Sequence, residues 1–291
     1  MIAGVRPLLV VALGGNAVSP PASGLAMADE RRAVAAICAE LAALARGRRL
    51  LVVHGNGPQV GRLLGADDDL ADLDVRVAQT QGELGYLLAD GLEQATGEPA
   101  CALVTRTRVD PADPALSRPD KPVGPVLKAR PAAPAVRVPG GAGWRRVVPS
   151  PRPQAVLELD AIRRLLAFGH VIAGGGGGVP VSALGPVAAV IDKDHVAGAL
   201  AIALDAGRLL FVTDVPGVYV DIEAPEPRVE PWIGHAEAQR RLALGRYAAG
   251  SMAPKVESAA RFAAATGRTA LIAAAGELAA AWRGRCGTSI G

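Results

Sequence analysis

Lysine is scarce in this chain: of 31 basic residues only Lys121, Lys128, Lys193 and Lys255 are lysine, and the other 27 are arginine. Aromatic residues make up 3% of the 291 residues, so a core must be filled by Ala, Val, Leu and Ile. Cysteine is odd in number and widely spaced, at Cys38, Cys101 and Cys286. This argues against a disulfide framework or a cysteine metal site and fits a reducing compartment. No apolar run approaches the roughly 18 residues of a membrane span. No basic block accompanies the net charge of +3, so neither nucleic acid nor a membrane is the expected partner. Arg6 followed by an apolar run is a feature of secretion signals. Here the run is short and ends in Gly14-Gly15-Asn16, and the cytoplasm is the expected location.

What is present is regular alternation. Short apolar runs at 8–13, 50–53, 100–105, 170–173, 209–213 and 269–273 predict buried strands. Helical patterns fill about 27–46, 75–96, 158–168, 194–206, 235–245 and 252–266. Continuous apolar strands alternating with helices predict an α/β fold, an open and mostly parallel sheet with helices on both faces. The stretch 106–139 departs from this rhythm. It holds eight of the 23 prolines, which excludes ordinary helix or central strand and leaves a long surface loop or a lid.

Ligands of open α/β sheets sit beyond the carboxyl ends of strands. Three predicted strand ends are glycine-rich: Gly14-Gly15-Asn16, then Gly55-Asn56-Gly57 after His54, then the five glycines from Gly174 to Gly178, including Gly175 and Gly176. Without Cβ, backbone N–H groups approach an anion closely, and a following helix start adds a favourable dipole. Neither G-x-x-x-x-G-K-[ST] nor G-x-G-x-x-G is present, which disfavours a P-loop enzyme and a conventional dinucleotide dehydrogenase. His54 reads either as a general base or as a structural residue ending a buried strand.

Two lysines fall at predicted helix starts. Asp194, just after Lys193, is placed to cap a helix over His195–Asp205, and Ser251 to cap one containing Pro254 and Lys255. A cation there is unfavourable by about 0.3–1 kcal/mol. Either a bound polyphosphate resolves that conflict, or Lys193 pairs locally with Asp192 or Asp194. The segment from Thr213 to Tyr219 suits a wall for a base and ribose, and equally a plain Pro-Gly turn.

Taken together the motifs resemble the amino acid kinase family and, within it, the carbamate kinases. They are ALGGNA at 12–17, HGNGPQVG at 54–61, TQGELGY at 80–86, VDPADPA at 109–115, KPVGP at 121–125 and WRRVVPSPRP at 144–153. AGGGGGVPV at 173–181, IDKDHVA at 191–197, TDVPGVYV at 213–220, GSMAPK at 250–255 and GTSI at 287–290 complete the series. The resemblance implies a single domain over 1–291 with an αβα sandwich. An acceptor-binding half would cover about 1–190, with a protruding subdomain about 106–153, and a nucleotide-binding half 191–291. It implies phosphoryl transfer between ATP and carbamate, giving ADP and carbamoyl phosphate, with Mg2+ bridging phosphates, and a homodimer.

The resemblance also implies the roles of individual residues. Gly14, Gly15, Asn16, Gly55, Asn56 and Gly57 would cradle carbamate and the transferred group. Lys193 and Lys255 would bridge phosphate oxygens, Asp194 would orient them, and Lys121 would reach in from the subdomain. Asp214, Val218, Tyr219 and Met252 would line the nucleotide pocket. Ala12 stands where many family members carry lysine, a difference typical of the carbamate branch, with Lys121 the natural substitute. Arg106 and Leu116 also depart from the family pattern, and Lys128 is expected at the surface. The competing readings are a kinase of the same fold acting on another carboxylate or phosphate, and a non-catalytic nucleotide- or amino-acid-sensing module.

Overall fold

The computed structural model describes residues 6–19, 26–64, 70, 72–138, 143–221, 226–248 and 250–291. The first apolar run forms β1 (Leu8–Leu13), followed by the short α1 (Gly15–Val18), α2 (Met27–Ala45), β2 (Arg49–His54), α3 (Gly57–Leu64) and α4 (Leu73–Thr96). Next come β3 (Ala100–Ala102), β4 (Arg106–Val109), β5 (Lys121–Leu127), β6 (Ala135–Arg137), β7 (Trp144–Val148), β8 (Pro153–Val156) and α5 (Leu159–Leu165). β9 (His170–Ile172), β10 (Val179–Ser182), β11 (Gly185–Pro186), α6 (Lys193–Ala203) and β12 (Arg208–Thr213) lead into the last part. There, β13 (Trp232–Ile233), α7 (His235–Ala243), α8 (Met252–Thr266), β14 (Ala270–Ala274), α9 (Leu278–Trp282) and β15 (Thr288–Ile290) close the chain.

The main sheet runs β13-β15-β14-β12-β1-β2-β9-β3, parallel throughout except where β15 meets β14. β1 is central, with Leu13 opposite His54 on β2 and Val212 on β12, so the three carboxyl ends lie side by side. Alternation along β1 feeds two cores. Val10 and Ala12 pack with residues of α6 and α8 on one face; Leu9, Val11 and Leu13 pack with α2, α4 and α9 on the other. Aliphatic side chains occupy nearly all of both cores, as the scarcity of aromatics requires.

The predicted strand 100–105 ends early, at Ala102. Gln81 captures the Thr105 N–H at 3.0 Å, and the Thr105 carbonyl accepts from Val179 N–H at 2.8 Å. These bonds lead the chain into a second sheet ordered β11-β10-β4-β8. Contrary to expectation, the proline-rich stretch starts on a central strand, because β4 pairs with both β10 and β8 before its first proline, Pro111; after it come a short 3-10 turn (Pro114–Ser117) and the edge strands β5 and β6. Its prolines Pro122 and Pro125 lie on β5, an edge of the three-stranded antiparallel sheet β5-β7-β6, where a missing N–H costs no ladder bond. Pro139 lies outside the described residues.

This small sheet rests on α3 through two glycines. A Cβ on Gly61 would lie 1.8 Å from the Gly124 Cα, and Gly124 itself has φ +73°, a left-handed conformation that disfavours any side chain. The HGNGPQVG and KPVGP motifs thus meet backbone to backbone. Gly61→Ala is expected to push the small sheet off α3, lowering the melting temperature by several degrees and cutting activity at least tenfold. A circular-dichroism melt and a rate assay on the same preparation check this.

Candidate active site

The strand ends open into a cavity of about 330 Å³. Gly14 to Ala17 line it from β1, Gly55 to Pro58 from β2, and Thr213 and Asp214 from β12. Gly250, Ser251 and Lys255 line it from the start of α8, and Lys121 and Arg145 from the small sheet. The amides of Gly14 and Gly55 continue the ladder, donating to Val212 and Leu13 carbonyls at 2.9 Å each. The first-turn amides of α1 and α3, those of Gly15, Asn16 and Gly57, have no intrahelical acceptor. Gly55 supplies room: a Cβ there would come 3.0 Å from Gly15 N and 3.4 Å from the Lys193 stem.

Asn16 Nδ2 donates to Asp214 at 3.0 Å, tying β1 to β12 across the cavity. Asn56 is buried and donates to Thr80 Oγ1 at 2.9 Å. Of the five glycines, Gly176 reaches the lining and Gly175 does not. Their lack of Cβ makes room for two side chains, since a Cβ on Gly176 would lie 2.0 Å from Asn56 Nδ2 and one on Gly175 2.3 Å from His54 Nε2.

The lysines converge. Asp192, not Asp194, caps α6: its Oδ1 accepts the Asp194 N–H at 2.8 Å from an extended backbone. Its Oδ2 accepts Lys121 Nζ at 2.8 Å. Asp194 lies one step inside the helix, where its side chain is free to project. It bridges two ammoniums, Lys193 at 2.8 Å and Lys255 at 3.0 Å. Ser251 occupies the α8 cap position but makes no side-chain cap bond; its carbonyl accepts Lys255 Nζ at 3.0 Å. The local pairing of Lys193 is therefore present, and it forms one part of a five-residue charge cluster. Helices α6 and α8 come close enough for this because Gly198 faces Ser258, with only 2.9 Å between a would-be Cβ and the serine Cβ.

Burial and pairing divide the charges unequally. Burial lowers the Lys193 pKa, but Asp194 and Asp192 together outweigh it and hold the ammonium above the ordinary lysine value. Lys255 is pushed below that value, first by burial and then by the neighbouring Lys193 ammonium. Burial opposes ionisation of Asp192, yet Lys121, Lys193 and His195 hold its carboxyl well below the usual carboxylate range.

Other expected residues lie away from the cavity. Val218 is 1% exposed, in the core, and its N–H donates to Thr288 Oγ1 at 2.8 Å. Tyr219 bridges to Val229, and Met252 packs against the core beneath α8; neither lines the cavity. His54 is buried with Nδ1 3.0 Å from the Gly55 carbonyl, and burial drops its pKa to about 4. It is a structural residue. Lys128 is exposed, and Arg106 pairs with Glu158 at 2.8 Å. Two features escaped the sequence reading. Arg145 lines the cavity, and Arg152 clamps Glu257 with two bonds of 2.9 and 3.0 Å beside His195, tying the segment after β7 to α6 and α8. In an arginine-rich chain neither guanidinium stood out.

The amino acid kinase family model matches residues 7–274. The chain belongs to the amino acid kinase family. Within it, the chain is 40% identical to the carbamate kinase of Escherichia coli K12 over 97% of this chain and 98% of that one. It is 38% identical to the carbamate kinase of Halobacterium salinarum over 97% of each. The Giardia lamblia carbamate kinase bound to AMP-PNP superposes with a TM-score of 0.84 at 33% identity, covering 98% of both chains. The family's open sheet with helices on both faces is the fold described above. Among the described residues no helix is long and apolar enough to cross a membrane.

Proposed function

We propose that this chain is a carbamate kinase, moving the γ-phosphoryl group of ATP to carbamate and back. The observation that carries the reading is Asp194 bridging Lys193 and Lys255 at the mouth of the glycine turns, opposite the Lys121–Asp192 pair. Phosphoryl transfer asks for positioning and charge stabilisation, and needs no covalent nucleophile. A carbamate oxygen attacks the γ-phosphorus, the bond to the bridging oxygen of ADP breaks, and no proton has to move. A buried His54 with a pKa of about 4 suits a reaction that needs no general base.

In this reading the amides of Gly15, Asn16 and Gly57 hold the acceptor and the transferred group, with Gly14, Gly55, Asn56 and Gly176 shaping the space. Lys193 and Lys255 hold phosphate oxygens, Asp194 holds the lysines, and Lys121 contacts the transferred group from the small sheet. The nucleotide lies along Asp214, Gly250 and Ser251. Asp192 and Asp194 are committed to lysines, and no acidic cluster suited to a metal is present among the described residues. Magnesium would therefore arrive with the nucleotide, held by phosphate oxygens and water, and supply further charge neutralisation. Two copies of the chain would form the working homodimer, and the cytoplasm would be its compartment.

An acceptor panel tests the assignment. With ATP and magnesium, carbamate generated from ammonium and bicarbonate is expected to drive ADP formation, while acetate, aspartate and glutamate leave it at background. Preference for an amino-acid carboxylate would instead make the chain another kinase of this fold. Nucleotide binding without turnover on any acceptor would make it a sensor.

A further inference from the structure

Of the four cations lining the cavity, three are spoken for. Lys121 pairs with Asp192, and Lys193 and Lys255 pair with Asp194. Arg145 is the exception: it is half-buried, and among the described residues it makes no ion pair. Among the described residues its one side-chain hydrogen bond uses Nε, donated to the Gly124 carbonyl at 2.9 Å. Burial alone pulls its pKa below the ordinary arginine value, with no neighbouring carboxylate to offset it. Leaving a guanidinium part-buried without a partner is costly unless something supplies an anion.

The surroundings aim it. On β7, Trp144 stacks beneath Arg130 and Arg137, at 5.1 and 5.7 Å, on one face of the small sheet. The next residue, Arg145, projects from the opposite face, toward the cavity. Its anchor, Gly124, is the residue that rests on Gly61 of α3, and α3 begins at the acceptor turn with Gly57. The Nε bond leaves the two terminal nitrogens as a fork, the geometry that matches two oxygens of one phosphoryl or carboxylate group.

We propose that Arg145 is an anion-binding residue of the acceptor side, gripping an oxyanion of the acceptor or of its phosphorylated product and leaving the nucleotide alone. The inference rests on the kinase reading given above and adds a specificity-determining residue to it. Two sources share the chemistry, the carboxylate of carbamate and the phosphoryl group of carbamoyl phosphate, and the two reaction directions separate them.

The test compares Arg145→Gln and Arg145→Lys with the unaltered protein. In the ATP-forming direction Arg145→Gln is expected to raise KM for carbamoyl phosphate at least tenfold, with KM for ADP within twofold. Arg145→Lys should recover only part of the loss, because it keeps the charge without the fork. A comparable rise in KM for carbamate in the reverse direction identifies the carboxylate as the group held; its absence identifies the phosphoryl group. Parallel changes in both nucleotide and acceptor KM, with a lowered melting temperature, would reduce Arg145 to a strut for Gly124 and overturn the proposal. So would unchanged KM values.

A second readout does not depend on turnover. With ADP and magnesium saturating, inorganic phosphate should raise the melting temperature of the unaltered protein, and Arg145→Gln should need at least five times more phosphate for the same shift. Equal phosphate dependence in the two proteins, with KM for carbamate also unchanged, overturns the proposal. If the unaltered protein makes no ATP from carbamoyl phosphate, the kinase reading fails, and the phosphate titration still decides whether Arg145 binds an anion.

Discussion

Lys255→Ala is expected to lower kcat about a thousandfold, equivalent to about 4 kcal/mol of lost transition-state stabilisation, in a protein that still folds. Among the described residues its ammonium bonds Asp194 and the Ser251 carbonyl, both at 3.0 Å, and it lies in the first turn of α8. Removing it deletes a charge aimed at phosphate oxygens and opens no cavity in the cores on either face of the sheet. Lys255→Arg is not expected to rescue activity. A planar fork cannot occupy a site built for one compact ammonium between a carboxylate oxygen and a carbonyl. Steady-state rates alongside a thermal melt check both variants. Activity of Lys255→Ala within tenfold of the unaltered protein would remove the residue from the chemistry.

The second large effect is expected at Asp194. Asp194→Asn keeps the shape and removes the charge that holds two ammoniums at 2.8 and 3.0 Å. Breaking a buried pair by deleting one partner costs about 3–5 kcal/mol, and a lysine so stranded relieves part of that by losing its proton. Lys255 already sits below the ordinary lysine value, so it is the one to deprotonate first. The sign follows. Activity needs the charged form, a lowered pKa empties that form as pH rises, and so the alkaline limb of kcat/KM should move to lower pH in Asp194→Asn. At neutral pH the variant should be at least a hundredfold slower, with part of the loss recovered on acidification. A uniform loss across pH, with no shift of the limb, would mean that Asp194 does not set the charge of the lysines.

Much of this site was legible because its parts are local. Strand ends, glycine turns and helix starts each leave a short signature, and Lys193 and Lys255 drew attention as cations at helix N-termini, where a cation alone is unfavourable. Sequence pattern puts the cap of α6 at Asp194 and the structure puts it at Asp192, because both residues suit the position. Which one caps depends on whether the other is pulled elsewhere, and Asp194 is pulled by Lys255, 61 residues away. The strand expected over 100–105 failed for a similar reason: Gln81 on α4 takes the Thr105 amide, a partner no local pattern reveals. Val218 and Met252 carried no signal that separates a pocket wall from a core residue, since an aliphatic side chain beside a strand end serves either purpose. Arg145 does not stand out among 27 arginines, because only the folded sheet shows that it has no carboxylate partner among the described residues.

The joining of KPVGP to HGNGPQVG is of the same kind. Neither motif on its own shows the contact. Only the fold places Gly124 against Gly61 and so brings Lys121 over the glycine turns, where Asp192 receives it at 2.8 Å. Lys121 therefore owes its position to a contact between two glycines that have no side chains to advertise it.

The most direct measurement is ATP formation from ADP, magnesium and carbamoyl phosphate, followed by a coupled reporter. The unaltered protein is expected to make ATP in proportion to the carbamoyl phosphate consumed, and folded Lys255→Ala at least a hundredfold more slowly. No ATP above that control would contradict the assignment.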